Sequence, residues 1–496
     1  MDVMTIFIIC LVTLLLCIIY FINLFRPKPI SGIKIADNYS WLFGHLPAFQ
    51  TNKNRIHEYR CHLAMNAELQ GDTCFQECLP LTSSRVDILT PELIEFVLKT
   101  EFDSFGKGNY FRDKLHVLLG DGIFNTDGQR WKQQRKIAAH MFTQRLLNEK
   151  MIHVFTEHGH RFIDLLHTIP EGKIFDLQKL FFCYTMDCIC DIAFGLNLNT
   201  LTLSVPDAQE FVDAFDQANY LSSLRFIQPE FSWRLKRLFN IGSEKKLKDC
   251  MKIVDRFIYN IIQQRQNDDT TTNNKRGDLL TLFLVHEDKQ LINDKFLRDI
   301  VLSFIVAGRD TTATGLSHLF YHVYHSYPDI EQKLIDERHK NNSVYLDAVL
   351  YELCRLHPPV PFDLKIALKD VYLPGNIFIP KSTIITYTPY HYHRLKSVWG
   401  QDAEEFRPER WIDETNEQKL KTESQYKFIA FNAGPRLCLG KTMALLEMKT
   451  LASMLINEFH FELDESTKKF NTQMKFQGTC AFEDGLPMTV KKRKNK

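Results

Sequence analysis

The stretch FNAGPRLCLG (431–440) runs directly into LGKTMALLEMKTLASMLINEF (439–459). Phe431, Gly434, Arg436, Cys438 and Gly440 stand at short, fixed intervals, and a helical pattern follows at once. A helix that starts just after a cysteine aims its first amides, and the positive end of its dipole, at the sulfur. Both effects lower the thiol pKa and favour a thiolate ligand. Gly434 and Gly440 permit close backbone approach, while Arg436 offers a planar fork for a carboxylate. An aromatic, an arginine and a thiolate in one loop suit an iron porphyrin, which has an axial position and acidic side arms. The competing reading is a buried free cysteine in a glycine turn, but five fixed positions rarely match by chance.

The rest of the chain bounds the possibilities. Its 496 residues carry a net charge of +1, and no patch interleaves basic and aromatic side chains, so nothing points to nucleic acid. From Val3 to Phe25 no residue is charged. At ~1.5 Å per residue that run reaches roughly 34 Å, enough for a bilayer's hydrocarbon core. It is too long for a signal-peptide core and lacks a small-residue cleavage site. Arg26 and Lys28 follow it, which keeps the bulk of the chain cytosolic. The expected organisation is a membrane anchor (1–25), a proline-bearing linker (26–45), one large domain (46–490) and a solvated basic tail, KKRKNK (491–496). The twelve cysteines are scattered, and in a reducing compartment they are expected to stay free.

Helical periodicity dominates 128–326, with loops expected near 168–173, 200–206 and 266–277. A long helix covers 294–326, a shorter one 344–357, and a last one begins near Leu439. Residues 83–99 read as a strand followed by a helix, and 364–389 as short strands. The fold class is mainly α with a minor β-sheet region.

The decapeptide 431–440 resembles the haem-binding loop of the cytochrome P-450 family, and other motifs agree with it. YELCR (351–355) carries Glu352 and Arg355, three apart on a helix, and FRPERW (406–411) carries Arg410. The resemblance implies a buried ionic cluster of these three that braces the haem loop. AGRDTT (307–312), midway along the long helix, matches the oxygen-activation motif. Ala307 and Gly308 would leave room for dioxygen, and Asp310 and Thr311 would pass protons by way of water. Mid-helix Gly and Thr also make a local kink reasonable there. In WKQQR (131–135), Trp131 and Arg135 share a helix face and would contact a haem propionate. Lys365 stands where the family more often has arginine; it can supply charge but not a fork. The family's PPGP hinge is absent, leaving Pro27 and Pro29.

The resemblance spans about residues 35–490. LLGDGIFNTDGQRWKQQRKIAAHMF (118–142) and FNIGSEKKLKDCMKIVDRF (239–257) look most like the membrane-bound fatty-acid omega-hydroxylase branch. It implies a haem-thiolate monooxygenase with haem b ligated by Cys438, acting with O2 on an apolar or lipid substrate at a membrane. No glycine-rich dinucleotide fingerprint is present, so NADPH electrons would arrive through a separate reductase. The expected setting is a single-pass membrane protein with a cytosolic catalytic domain, in the endoplasmic reticulum if the source is eukaryotic. Phe105, Phe111, Val117, Leu118, Phe304, Val360, Phe362 and Phe482 are the apolar residues expected to line the pocket. Sterol or xenobiotic oxidation is the alternative substrate reading. A haem-thiolate isomerase or dehydratase, or a non-enzymatic haem protein, is the alternative of another class.

Overall fold

The computed structural model describes residues 3–25, 28–80, 82–202, 206–267, 278–285, 292–337, 344–464, 473–475 and 478–493. Packing divides the chain into two compact units, Met1–Gly106 with Phe362–Ala403, and Lys107–Pro361 with Glu404–Lys496. The division is interleaved because strands from 362–403 return to pair with strands of the first hundred residues.

In the first unit, a five-stranded sheet runs in the order Cys74–Glu77, Arg85–Ile88, Ile384–Tyr387, Asp363–Ala367, Phe105–Gly106. Arg85–Ile88 and Ile384–Tyr387 are parallel, and the other pairs are antiparallel. Arg60, on helix Ile56–Leu69, holds two buried sheet carboxylates, Glu77 at 2.8 Å and Asp87 at 2.5 Å. Pairing is what lets charges remain in such an interior. Val3–Phe25 is one helix of 23 residues, with Phe7, Leu14 and Tyr20 among its exposed side chains. Some side chains of this helix lie outside the described set. Among the described residues, no helix is long and apolar enough to cross a membrane.

The second unit is almost wholly helical. Its centre is the helix 294–326, capped at its start by Asn293, whose side chain accepts from the Phe296 amide at 2.9 Å. Buried on nearly every side, polar residues such as Arg298, Asp299 and Asp310 included, it is a core helix. Helix Leu177–Phe194 lies against it, starting at the Asp176 cap and ending at Gly195 in the left-handed region (φ 63°). Phe162, Phe181, Phe320 and Phe461 form a chain of ring contacts 5.1–5.7 Å apart through this core. Each fully buried ring contributes roughly 1.5–3 kcal/mol.

Helix Tyr345–Leu356 ends ahead of Pro358, and the last helix is Lys441–Glu458. The molecule is thus mainly helical with small sheets, as its periodicity indicates. The expected kink takes a specific form: Val306–Asp310 is wound as a π-helical turn within the long helix. Of the polar loop expected at 266–277, residues 268–277 lie outside the described set, as do 494–496 of the tail. Lys491 and Lys492 close a strand, Pro487–Lys492, paired with Phe459–Leu463. All twelve cysteines are free.

Candidate active site

The thiol loop is a tight, closed turn. The Cys438 amide donates to the Phe431 carbonyl at 2.8 Å, and the Leu437 amide to that of Gly434 at 3.0 Å. Gly434 adopts φ 63°, which a side chain would strain. Gly440 differs. Its φ is −88°, and a methyl group there would meet only ordinary contacts, the nearest being Phe142 at 3.6 Å. A left-handed backbone therefore explains Gly434 and not Gly440, whose amide instead faces the Cys438 sulfur.

The thiol also departs from expectation. Burial raises its pKa, outweighing the Gly440 amide and the nearby Arg135 and Lys441 charges that lower it. The helix-start effect is real but smaller than desolvation. Even so, Cys438 keeps an exposed face.

Positive groups gather around this loop. Arg135, on helix Gly128–Ala139, donates to the Leu437 carbonyl at 2.5 Å. Trp131, buried on the same helix, has the Arg135 guanidinium 5.9 Å from its ring and that of Arg436 at 4.4 Å. Such cation–π contacts hold both forks in register. Arg436 already has a carboxylate, Asp127, at 2.6 Å, and it also donates to the Thr126 carbonyl at 2.8 Å. Sequence spacing does not pair Asp127 with Arg436, because the two lie some three hundred residues apart.

Glu352 and Arg355 form the expected buried pair, with Arg355 Nε 2.7 Å and Nη2 2.9 Å from the carboxylate. Arg410 joins at 3.3 Å. Two further donors were not anticipated: the Arg407 amide at 2.8 Å and Trp411 Nε1 at 2.9 Å. Trp411 was visible within FRPERW as a residue beside the charge. It carries the cluster toward the loop through edge-to-face rings, Trp411 to Phe428 at 4.8 Å and Phe428 to Phe431 at 6.0 Å.

On the long helix, Thr311 Oγ1 donates to the Ala307 carbonyl at 2.6 Å across the π-turn. Gly308 has a packing role of its own. A Cβ there would come 2.6 Å from Ile189 Cδ1 and 3.1 Å from its Cβ, so the missing side chain lets helix Leu177–Phe194 approach. Gly308→Ala should overpack this contact and cost about 1–3 kcal/mol. A thermal midpoint equal to the parent's would show that Ile189 yields freely.

Asp310 is fully enclosed. Arg309 Nη1 donates to it at 2.9 Å and Asn219 Nδ2 at 2.6 Å, while Arg309 reaches on to Asp216 at 2.5 and 3.1 Å. Burial, partly offset by Arg309, pushes the Asp310 carboxyl up to about 6. These groups line a cavity of about 600 Å³ beside helices Leu177–Phe194 and Pro206–Ser223, and the Asp216 side chain is 51% exposed. Lys365 stands in the other unit, buried on strand Asp363–Ala367, where it donates to Tyr387 Oη at 2.9 Å and lies 3.5 Å from Asp363.

The family model for cytochrome P450 matches residues 37–482. The chain is a cytochrome P450. Cytochrome P450 704C1 of Pinus taeda is 34% identical over 482 residues, covering 90% of each chain. Cytochrome P450 94A1 of Vicia sativa is 34% identical (91% of this chain, 90% of that one), and cytochrome P450 94C1 of Arabidopsis thaliana is 36% identical (84% and 87%).

A P450 is a monooxygenase working with haem b, O2 and NADPH-derived electrons passed on by a reductase, and its substrates are hydrophobic. The residues present fit that cofactor. A thiol with an exposed face, an amide directed at its sulfur and two guanidiniums stacked on one indole make a donor set for a thiolate-ligated, doubly carboxylated ring.

Proposed function

We propose that this P450 hydroxylates a medium- or long-chain fatty acid, or a similar lipid, at or near its terminal carbon. The observation that carries the substrate reading is the likeness of 118–142 and 239–257 to the fatty-acid omega-hydroxylase branch. Cys438 would hold the haem iron, and Trp131, Arg135 and Arg436 would hold its carboxylates, with Phe431 and Gly434 shaping the loop. Ala307 borders the oxygen side. Once bound, the haem supplies the oxygen-inserting chemistry.

The chain's own residues handle water and protons. Arg309, which stays charged, ties buried Asp310 to half-exposed Asp216, and the cavity that both carboxyls line gives water, not the guanidinium, the route by which protons reach Asp310. A carboxyl near pKa 6 is half protonated at about pH 6 and still about one-tenth protonated at neutrality, close enough to the working pH to exchange protons in both directions. Thr311, tethered to the Ala307 carbonyl, fixes the hydroxyl at the π-turn. As pH rises through about 6, Asp310 loses its proton and turnover should fall. Asp310→Asn should lose that inflection and reduce kcat by roughly 10²-fold. A kcat–pH profile matching the parent's would remove Asp310 from proton delivery.

Helix Val3–Phe25 anchors the enzyme to a membrane of the endoplasmic reticulum type, with the catalytic units cytosolic and a separate reductase delivering electrons. The uncharged sequence from Val3 to Phe25, followed by Arg26 and Lys28, supports this. Removing residues 1–25 should release protein from sedimented membranes while haem incorporation persists. Loss of haem on truncation would instead assign this helix to the core.

The decisive experiment for the substrate is a spin-state titration with fatty acids, sterols and alkanes, followed by turnover with a reductase. A spin shift and a terminally hydroxylated product are expected from a fatty acid. A response to sterols alone would overturn the substrate assignment and leave the haem chemistry standing.

A further inference from the structure

His318 and His322 lie one turn apart near the end of the long helix, and His357 directly follows helix Tyr345–Leu356. One ligand atom from each lies within 4.8 Å of the other two. Among the described residues, no other group of three or more His, Cys, Asp or Glu side chains comes together in this way. The rings are nested, with centroids 3.9 Å apart for His322 and His357 and 5.5 Å for His318 and His357. His318 and His322 are buried and His357 half-buried.

Hydrogen bonding defines the state of the first ring. His318 Nε2 lies 2.8 Å from the Cys480 carbonyl, which can only accept, so the proton sits on Nε2. Nδ1 is then a lone pair, and it is buried without a hydrogen-bond partner. A histidine that donates one ring N–H to a backbone carbonyl and presents the other nitrogen is arranged as metal-binding histidines are. Ser326 Oγ stands 3.1 Å from His322 Nδ1 and orients the second ring in the same manner.

We propose that His318, His322 and His357 form a binding site for a divalent transition-metal ion of the zinc type, separate from the haem site. Three imidazoles select Zn²⁺, Ni²⁺ or Cu²⁺ over the oxygen-seeking Ca²⁺ and Mg²⁺. Tetrahedral coordination at ~2.0–2.1 Å brings the nitrogens to roughly 3.3 Å, so modest side-chain rotation closes the site, with water in the fourth position. The ion would pin three segments together: the long helix, the residue ahead of Pro358, and the stretch around Cys480. The last two are already joined, since the Cys480 amide donates to the Pro359 carbonyl at 3.0 Å.

The test uses the full-length, haem-loaded protein, dialysed against micromolar Zn²⁺ and then metal-free buffer, with zinc and iron counted by plasma mass spectrometry. The parent should retain one zinc per haem iron. His318→Ala, His322→Gln and His357→Gln should each weaken retention by at least about 10-fold, while the carbon monoxide spectrum reports that the haem fold is intact. His357 is half-buried at a helix end, so His357→Gln reads the site even if the buried variants fail to load haem. No zinc on the parent, or equal zinc on the parent and every variant that loads haem, overturns the proposal.

Discussion

Cys438→Ser is expected to abolish the red-shifted Soret band of the reduced, carbon monoxide-bound protein and to eliminate monooxygenase turnover. The substitution leaves the loop's own bonds in place, because the Cys438 amide and the Phe431 carbonyl are both main chain. What it removes is the soft, electron-rich donor. A serine hydroxyl is far harder to ionise and cannot give the thiolate electron donation that favours O–O cleavage. Fold and loop should therefore persist while the spectral signature and activity vanish together. Retention of the thiolate-type band in the variant would show that another residue holds the iron.

The second large effect is on assembly. Glu352→Leu should yield protein that fails to retain haem. Glu352 is fully buried and accepts from Arg355 twice, from Arg410, from the Arg407 amide and from Trp411. Deleting the carboxylate leaves Arg355, itself fully buried, without that counter-charge. Breaking a buried pair from one side costs about 3–5 kcal/mol, a large share of a protein's net stability. The loss is directed at the thiol loop, because the Trp411–Phe428–Phe431 ring contacts transmit the position of the cluster. Haem content after purification, together with the thermal midpoint, measures both. A variant that loads haem at the parent's midpoint would reduce the cluster to an incidental ion pair.

Other features were readable in part. The three-residue spacing of Glu352 and Arg355 allows a contact on any helix, yet it does not say whether that contact is buried. Trp411 and the Arg407 amide complete the carboxylate's shell from a segment more than fifty residues away. In AGRDTT, Asp310 and Thr311 stood out by type. Arg309, one residue before them, has nothing in its type that marks it, although it is the side chain that connects Asp310 to Asp216.

By itself, the sequence determined the helical periods, the strand alternation, the thiol loop ahead of a helix and the likeness of five motifs to one family. All of these are local: they depend on residues within a turn or two of one another, where spacing alone dictates which side chains share a face. Only the tertiary structure decided what depends on distant neighbours. Gly308 faces Ile189, Arg436 finds Asp127, and Lys365 meets Tyr387 because two strands pair in one register. Desolvation follows the same rule. It raises the Cys438 thiol against its helix start and the Asp310 carboxyl against Arg309, since burial sums over every atom packed nearby and no sequence window contains them.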